Sequence, residues 1–163
     1  MSLVYMHDMS SIVKSLDRHF GATGRDRLGR LFGGVLRRWR RHVDEVFREE
    51  GFTEGTRAPL ILLYDLDEPV RQKHLADELG LDPTALVRVI GVLSRRGLVE
   101  CIADPADRRG KLISLTQAGR ECAQRLIGQI VEIERRLFSD VTDDELAVVR
   151  TVFAKVMARL ASG

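Results

Sequence analysis

The chain predicts a mainly α protein with a small β-hairpin, arranged as a winged helix-turn-helix flanked by long N- and C-terminal helices. Three observations carry this. Two short apolar-striped segments are joined by the tight turn Gly80-Leu81-Asp82-Pro83. Two Val-, Ile- and Leu-rich runs follow, separated by a turn-rich loop. Longer amphipathic segments lie on both sides of that unit.

Residues 1–24 are polar, with Gly21 and Gly24, and suggest a short helix or a loose arm. Asp26 to Glu49 predicts a strong helix, because Leu28, Leu31, Phe32, Val35, Trp39, Val43, Val46 and Phe47 fall on one stripe. Arg37, Arg38, Arg40 and Arg41 occupy the rest of its surface, either as a solvated face or as a patch turned toward DNA. Gly51 closes it. Pro59 is tolerable only in the first turn of a helix, so the next helix is expected to begin at Thr56 as N-cap and run to Leu66. Val70-Arg71 is long enough for one edge pairing.

Gln72 to Leu79 predicts the first helix of the helix-turn-helix, with Leu75, Ala76 and Leu79 inward. Gly80 suits the left-handed position that ends a helix. Asp82 is a good N-cap, and Pro83 at the first helical position lacks an N–H that would be orphaned anyway. The second helix places Leu86, Val89, Ile90 and Leu93 on one stripe. Gly97 ends it. Leu98 to Ala103 and Lys111 to Leu115 predict two strands, with 104–110 as the loop between them. Thr116 is expected to cap a long helix to about Phe138. Thr142-Asp143-Asp144-Glu145 is a capping box opening a last helix striped by Leu146, Val149, Val152, Phe153, Val156 and Leu160.

Length and composition set bounds. The chain has 163 residues, 44% hydrophobic and 31% charged, enough for a folded domain with a real core. Its 26 basic and 24 acidic residues leave a net charge of only +2, so any nucleic-acid site must be a local patch. No apolar run suggests a membrane span or a signal peptide, and a cytoplasmic protein is expected. Cys101 and Cys122 form no CxxC pair, and the four histidines are scattered. No metal site or cofactor is expected, and the thiols read as reduced and mostly packed, with redox sensing as the alternative. No nucleophile–base pair or phosphate-binding glycine loop is visible, so an enzyme is not expected.

The second helix of the pair carries the chemistry. Opposite its apolar stripe lie Thr84, Arg88 and Gly91, flanked by Ala85, Val87 and Val92. Arg88 can pair with guanine O6 and N7. Thr84 offers a hydroxyl to phosphate or base, Ala85 and Val87 can touch a thymine methyl, and Gly91 permits close approach. Arg95 and Arg96 suit either the helix C-terminus or phosphate. In the loop, Arg108 and Arg109 are placed to enter a minor groove, with Asp107 orienting an arginine. Double-stranded DNA is therefore the expected partner.

The runs Leu75-Ala76, Leu86-Val87-Arg88 and Leu93-Ser94-Arg95-Arg96-Gly97-Leu98-Val99 resemble the MarR family of transcriptional regulators. So do Asp104-Pro105-Ala106-Asp107-Arg108-Arg109-Gly110-Lys111 and Leu115-Thr116-Gln117-Ala118-Gly119. The long first helix with Trp39 is most similar to the SlyA-type branch. Ser94, Ala85 and Pro59 depart from the family's usual pattern. The resemblance implies a homodimer on a pseudo-palindromic operator, joined through N- and C-terminal helices; the excess apolar face of the flanking helices independently asks for a second subunit. In this reading residues 1–163 are one winged-helix domain, with dimerisation helices in 1–50 and 116–163 and a DNA-binding lobe in 56–115. The resemblance also implies control by a small aromatic acid bound between the dimer helices and that lobe. Trp39 would then supply an aromatic wall, with Arg40, His42 or Arg57 facing a carboxylate, unless Trp39 is simply core.

Overall fold

The structure is a computed structural model and describes Lys14, residues 28–105 and residues 107–162. The expected arm over 1–24 therefore lies outside the described residues, Lys14 apart. The described elements are α1 (Leu28–Phe47), α2 (Glu54–Leu66), β1 (Val70–Arg71), α3 (Gln72–Leu79), α4 (Pro83–Arg95), β2 (Val99–Asp104), β3 (Asp107–Leu115), α5 (Gln117–Leu137) and α6 (Asp143–Ala161). The expected mainly α fold with a winged helix-turn-helix is present. None of the described helices is long and apolar enough to cross a membrane. The chain divides into two compact units, Met1–Thr56 and Arg57–Gly163.

In the first unit, α1 ends as its sequence requires. Gly51 adopts a positive φ of 70°. Its N–H bonds Arg48 O at 3.0 Å, and the Phe52 N–H bonds Phe47 O at 3.2 Å. That bonding satisfies two carbonyls a helix end would leave orphaned. Val43, Phe47 and Phe52 are buried, whereas Val35, Leu36 and Val46 of the same helix are exposed.

The start of α2 corrects the sequence reading. The helix begins at Glu54, and Pro59 lies inside it. Thr56 is not the N-cap; its hydroxyl accepts the Thr53 N–H at 3.0 Å and donates to Thr53 O. The Glu54 N–H is taken by the Asp44 carboxylate at 2.8 Å. A cap supplied from ten residues upstream has no local signature, and it extends the helix back past the point where proline alone would start it. Burial of Leu60 and Leu63 holds the helix together beyond Pro59, although Pro59 offers no N–H to Gly55 O.

The second unit is built on a three-stranded antiparallel sheet in the order β1-β3-β2. Val70 pairs with Ile113 and Arg71 with Leu112, and β2 pairs with β3 from Val99↔Leu115 to Asp104↔Asp107. The hairpin is thus longer than expected: β3 starts at Asp107. Asp107, Arg108 and Arg109 lie on a strand, not in an open loop. A register shift between Ala103 and Asp104 lets the ladder continue through sequence that reads as turn. Leu75, Ala76, Leu86, Leu93, Val99, Ile113 and Leu126 are among its buried residues.

Two helix starts follow their sequence signals. Thr116 caps α5 by accepting the Gly119 N–H at 3.0 Å. Thr142 and Glu145 form the reciprocal box at α6, with Thr142 N–H to Glu145 Oε2 at 2.9 Å. The bonds from the Thr142 backbone N–H and hydroxyl hold the Glu145 carboxyl below its usual range. This contribution is present above the unfolded value of that carboxyl and is lost as pH falls through its lowered folded value.

Candidate nucleic-acid interface

Helix α3 ends at Gly80, whose φ is 61°. The Leu81 N–H bonds Ala76 O at 2.9 Å and the Gly80 N–H bonds Asp77 O at 3.2 Å. The chain then turns into α4, where Asp82 Oδ1 accepts the Thr84 N–H at 2.8 Å and the Ala85 N–H at 3.2 Å. The Leu86 N–H goes to Asp82 O, and Pro83 has none. Every N–H of the first turn is therefore satisfied within the protein. Any DNA contact from this helix must come from side chains, not from an open helix N-terminus.

Leu86, Ile90 and Leu93 are buried and Val89 is half-buried, which fixes the rotation of α4. The opposite face is solvent-facing: Thr84, Ala85, Val87 and Arg88 are exposed, and Gly91 and Val92 are half-buried. Val87 is 53% exposed on this face. A Cβ built on Gly91 would meet only Arg95 Nη1, at an ordinary 3.6 Å. The fold does not need glycine there, although glycine inside a helix costs roughly 0.5–1 kcal/mol relative to alanine.

The same distance locates the Arg95 side chain. Its guanidinium lies back along the helix toward Gly91. The end of α4 is closed instead by backbone groups, with Gly97 N–H to Ser94 O at 2.9 Å and Leu98 N–H to Leu93 O at 3.0 Å around Gly97 at φ 70°. Arg95 lies exposed on the same face of α4 as Thr84, Arg88 and Gly91.

The wing is seated by a joint. Thr116 Oγ1 donates to Gly97 O at 2.6 Å, and the Thr116 N–H donates to Leu98 O at 3.1 Å. Gly119 packs so closely on the Leu98 carbonyl that no side chain fits. Asp107, Arg108 and Arg109 occupy the start of β3; their side chains lie outside what is described. One feature was missed in the sequence: Asp104, read there as a loop charge, is buried and paired with Arg71. The pairing is long-range and has no local signature. Cys101 is exposed on edge strand β2 rather than packed, and Cys122 is half-buried with Arg125 Nη2 3.7 Å from its sulfur. Of the other sequence candidates, Trp39 is half-buried, His42 is exposed, and Arg40 pairs with Glu54 at 3.4 Å. Arg57 is 2% exposed.

Helices α3 and α4 with the tight turn between them, beside a seated β-hairpin, define a winged helix-turn-helix. Residues 58–110 match the sequence model of the MarR family. A MarR-family regulator from Rhodococcus sp. RHA1 has TM-score 0.73 and 27% identity, covering 83% of this chain and 95% of that one. CouR from Rhodococcus jostii RHA1, solved with p-coumaroyl-CoA, gives TM-score 0.70 and 28% identity over 80% and 92% of the two chains. MepR from S. aureus, solved in complex with DNA, shares the fold at TM-score 0.70 and 21% identity, over 82% and 97%. Over residues 58–110 the chain is thus similar to the MarR family of transcriptional regulators.

Proposed function

We propose that this protein is a sequence-specific regulator that binds a pseudo-palindromic double-stranded DNA operator as a homodimer. The observation that carries the reading is the exposed face of α4, where Thr84, Arg88 and Arg95 line up around a glycine the fold does not require. Arg88 reads a guanine edge, Thr84 and Arg95 contact phosphate or base, and Ala85 and Val87 pack on thymine methyls. Arg108 and Arg109 enter a flanking minor groove, with Asp107 orienting them. Residues 1–50 and 116–163 supply the dimer contacts and 56–115 the DNA-binding lobe. Support for the dimer comes from α6, which has no buried residue in the single chain.

Arg88→Ala is expected to cost about 1–3 kcal/mol on the cognate site and to relax preference at one base position per half-site. Fluorescence anisotropy on cognate and scrambled duplexes at fixed salt measures this. Equal losses on both would reduce Arg88 to a phosphate contact.

A small aromatic acid is the proposed effector, supported by the aromatic acyl ligand in the CouR structure. Trp39 would stack on it, with Arg40 or His42 facing its carboxylate. Salicylate at millimolar levels is expected to quench Trp39 fluorescence and weaken operator binding over the same concentration range, because a ligand that prefers the DNA-incompetent state shifts the population away from the bound one. A saturating titration that moves neither signal would remove this effector class.

A further inference from the structure

The Arg71–Asp104 pair lies at the foot of the wing and takes no part in the contacts assigned above. Asp104 ends β2 just after the register shift at Ala103, and its side chain is only 5% exposed. Arg71 belongs to β1, on the other side of central strand β3. Its Nε and Nη2 donate to Asp104 Oδ2 at 2.8 and 2.7 Å. The side chain thus crosses the central strand and ties the two edge strands together where the hairpin leaves the sheet. Arg71 also holds the N-cap position of α3 and makes no side-chain capping bond there. A residue type that would cap the helix is absent, and the side chain present reaches to the hairpin instead.

We propose that Arg71 and Asp104 form a strut that fixes the angle of the wing to the helix-turn-helix. Both are then positioning residues for DNA affinity, and neither needs to touch DNA. The inference rests on the DNA-binding reading above. It makes a prediction opposite in sign to simple electrostatics. Removing an acid beside a phosphate-binding surface should strengthen DNA binding if charge alone matters. If the strut matters, removing Asp104 should weaken it.

The test compares wild type, Asp104→Asn, Arg71→Ala and Arg71→Lys. Operator affinity should fall about tenfold for Asp104→Asn and Arg71→Ala, the scale of one broken coupled pair. Hydroxyl-radical protection should be lost in the minor grooves flanking each half-site and kept around the major-groove contacts. Arg71→Lys should show the same loss, because an ammonium keeps the charge but not the planar fork. Amide exchange in the free Asp104→Asn protein should quicken along β2 and β3, a readout that needs no DNA. Unchanged or tighter operator binding by Asp104→Asn overturns the strut, as does unchanged exchange. If Asp104→Asn fails to give a cooperative melt, Arg71→Lys carries the test, and wild-type affinity there overturns the proposal. Wild-type protein that prefers no DNA sequence would instead overturn the DNA-binding reading, and the exchange rates alone would then judge whether the pair braces the hairpin.

Discussion

Gly119→Ala is expected to destabilise the folded protein by about 3 kcal/mol or more, at or above the usual range for an overpacked site. The added Cβ would collide with the Leu98 carbonyl. That carbonyl is held in place because it accepts the Thr116 N–H, while the neighbouring Gly97 O accepts the Thr116 hydroxyl. The clash is with backbone, so no rotamer change relieves it. To move away, α5 must break the joint that connects the end of α4, the start of the hairpin and its own N-cap. Gly128 is the internal control. It sits in the same helix with nothing within 4 Å of a built Cβ, so Gly128→Ala should be neutral or stabilising by up to about 1 kcal/mol. Urea unfolding followed by circular dichroism gives both values. Equal effects at the two positions would contradict the close approach at Leu98.

Val152→Asp in α6 is expected to turn a dimer of twice the 18.4 kDa chain mass into a folded monomer. Within one chain, Val149, Val152, Phe153, Val156 and Leu160 are all exposed, Leu160 by 73%. An exposed apolar stripe of that length calls for a partner surface. A carboxylate placed in its middle would be desolvated without a partner on association. Operator affinity should drop on the order of a thousandfold, because two tethered half-site contacts become one. Light scattering and anisotropy at micromolar protein read both effects, and the helical circular dichroism should stay. Loss of that signal would mean the stripe packs within the subunit. An unchanged dimer mass would place the interface elsewhere.

Most of the fold was legible because its signals are local. The turn Gly80-Leu81-Asp82-Pro83, the Gly51 and Gly97 helix ends and the caps at Thr116 and Thr142 each satisfy groups within a few residues, so the sequence spells them out. The features misread were those determined by distant partners. The start of α2 depends on Asp44, ten residues upstream of the N–H it accepts. The length of the hairpin depends on pairing across a register shift, so Asp107-Arg108-Arg109-Gly110 reads as loop by composition and folds as strand. Asp104 reads as a solvated turn charge and is buried by Arg71, 33 residues earlier. The exposed face of α4 was legible because a helical stripe defines its opposite side. What Arg95 does was not, because capping and outward reach demand the same residue type. The stripes of α1 and α6 were also legible, but periodicity marks an apolar face without saying whether it is covered from within the chain. In the structure Val35, Leu36 and Val46 of α1, like the α6 stripe, remain exposed.

The exposed face of α4 is proposed to read base sequence from a symmetric assembly. The most direct measurement is selection of bound duplexes from a random DNA pool at fixed, near-physiological salt, with wild type and Arg88→Ala run in parallel. Wild type is expected to enrich an inverted repeat whose half-sites lie about one helical turn apart. Arg88→Ala should then lose a guanine preference at one position in each half. Enrichment of no motif, or of the same motif by both proteins, would contradict it.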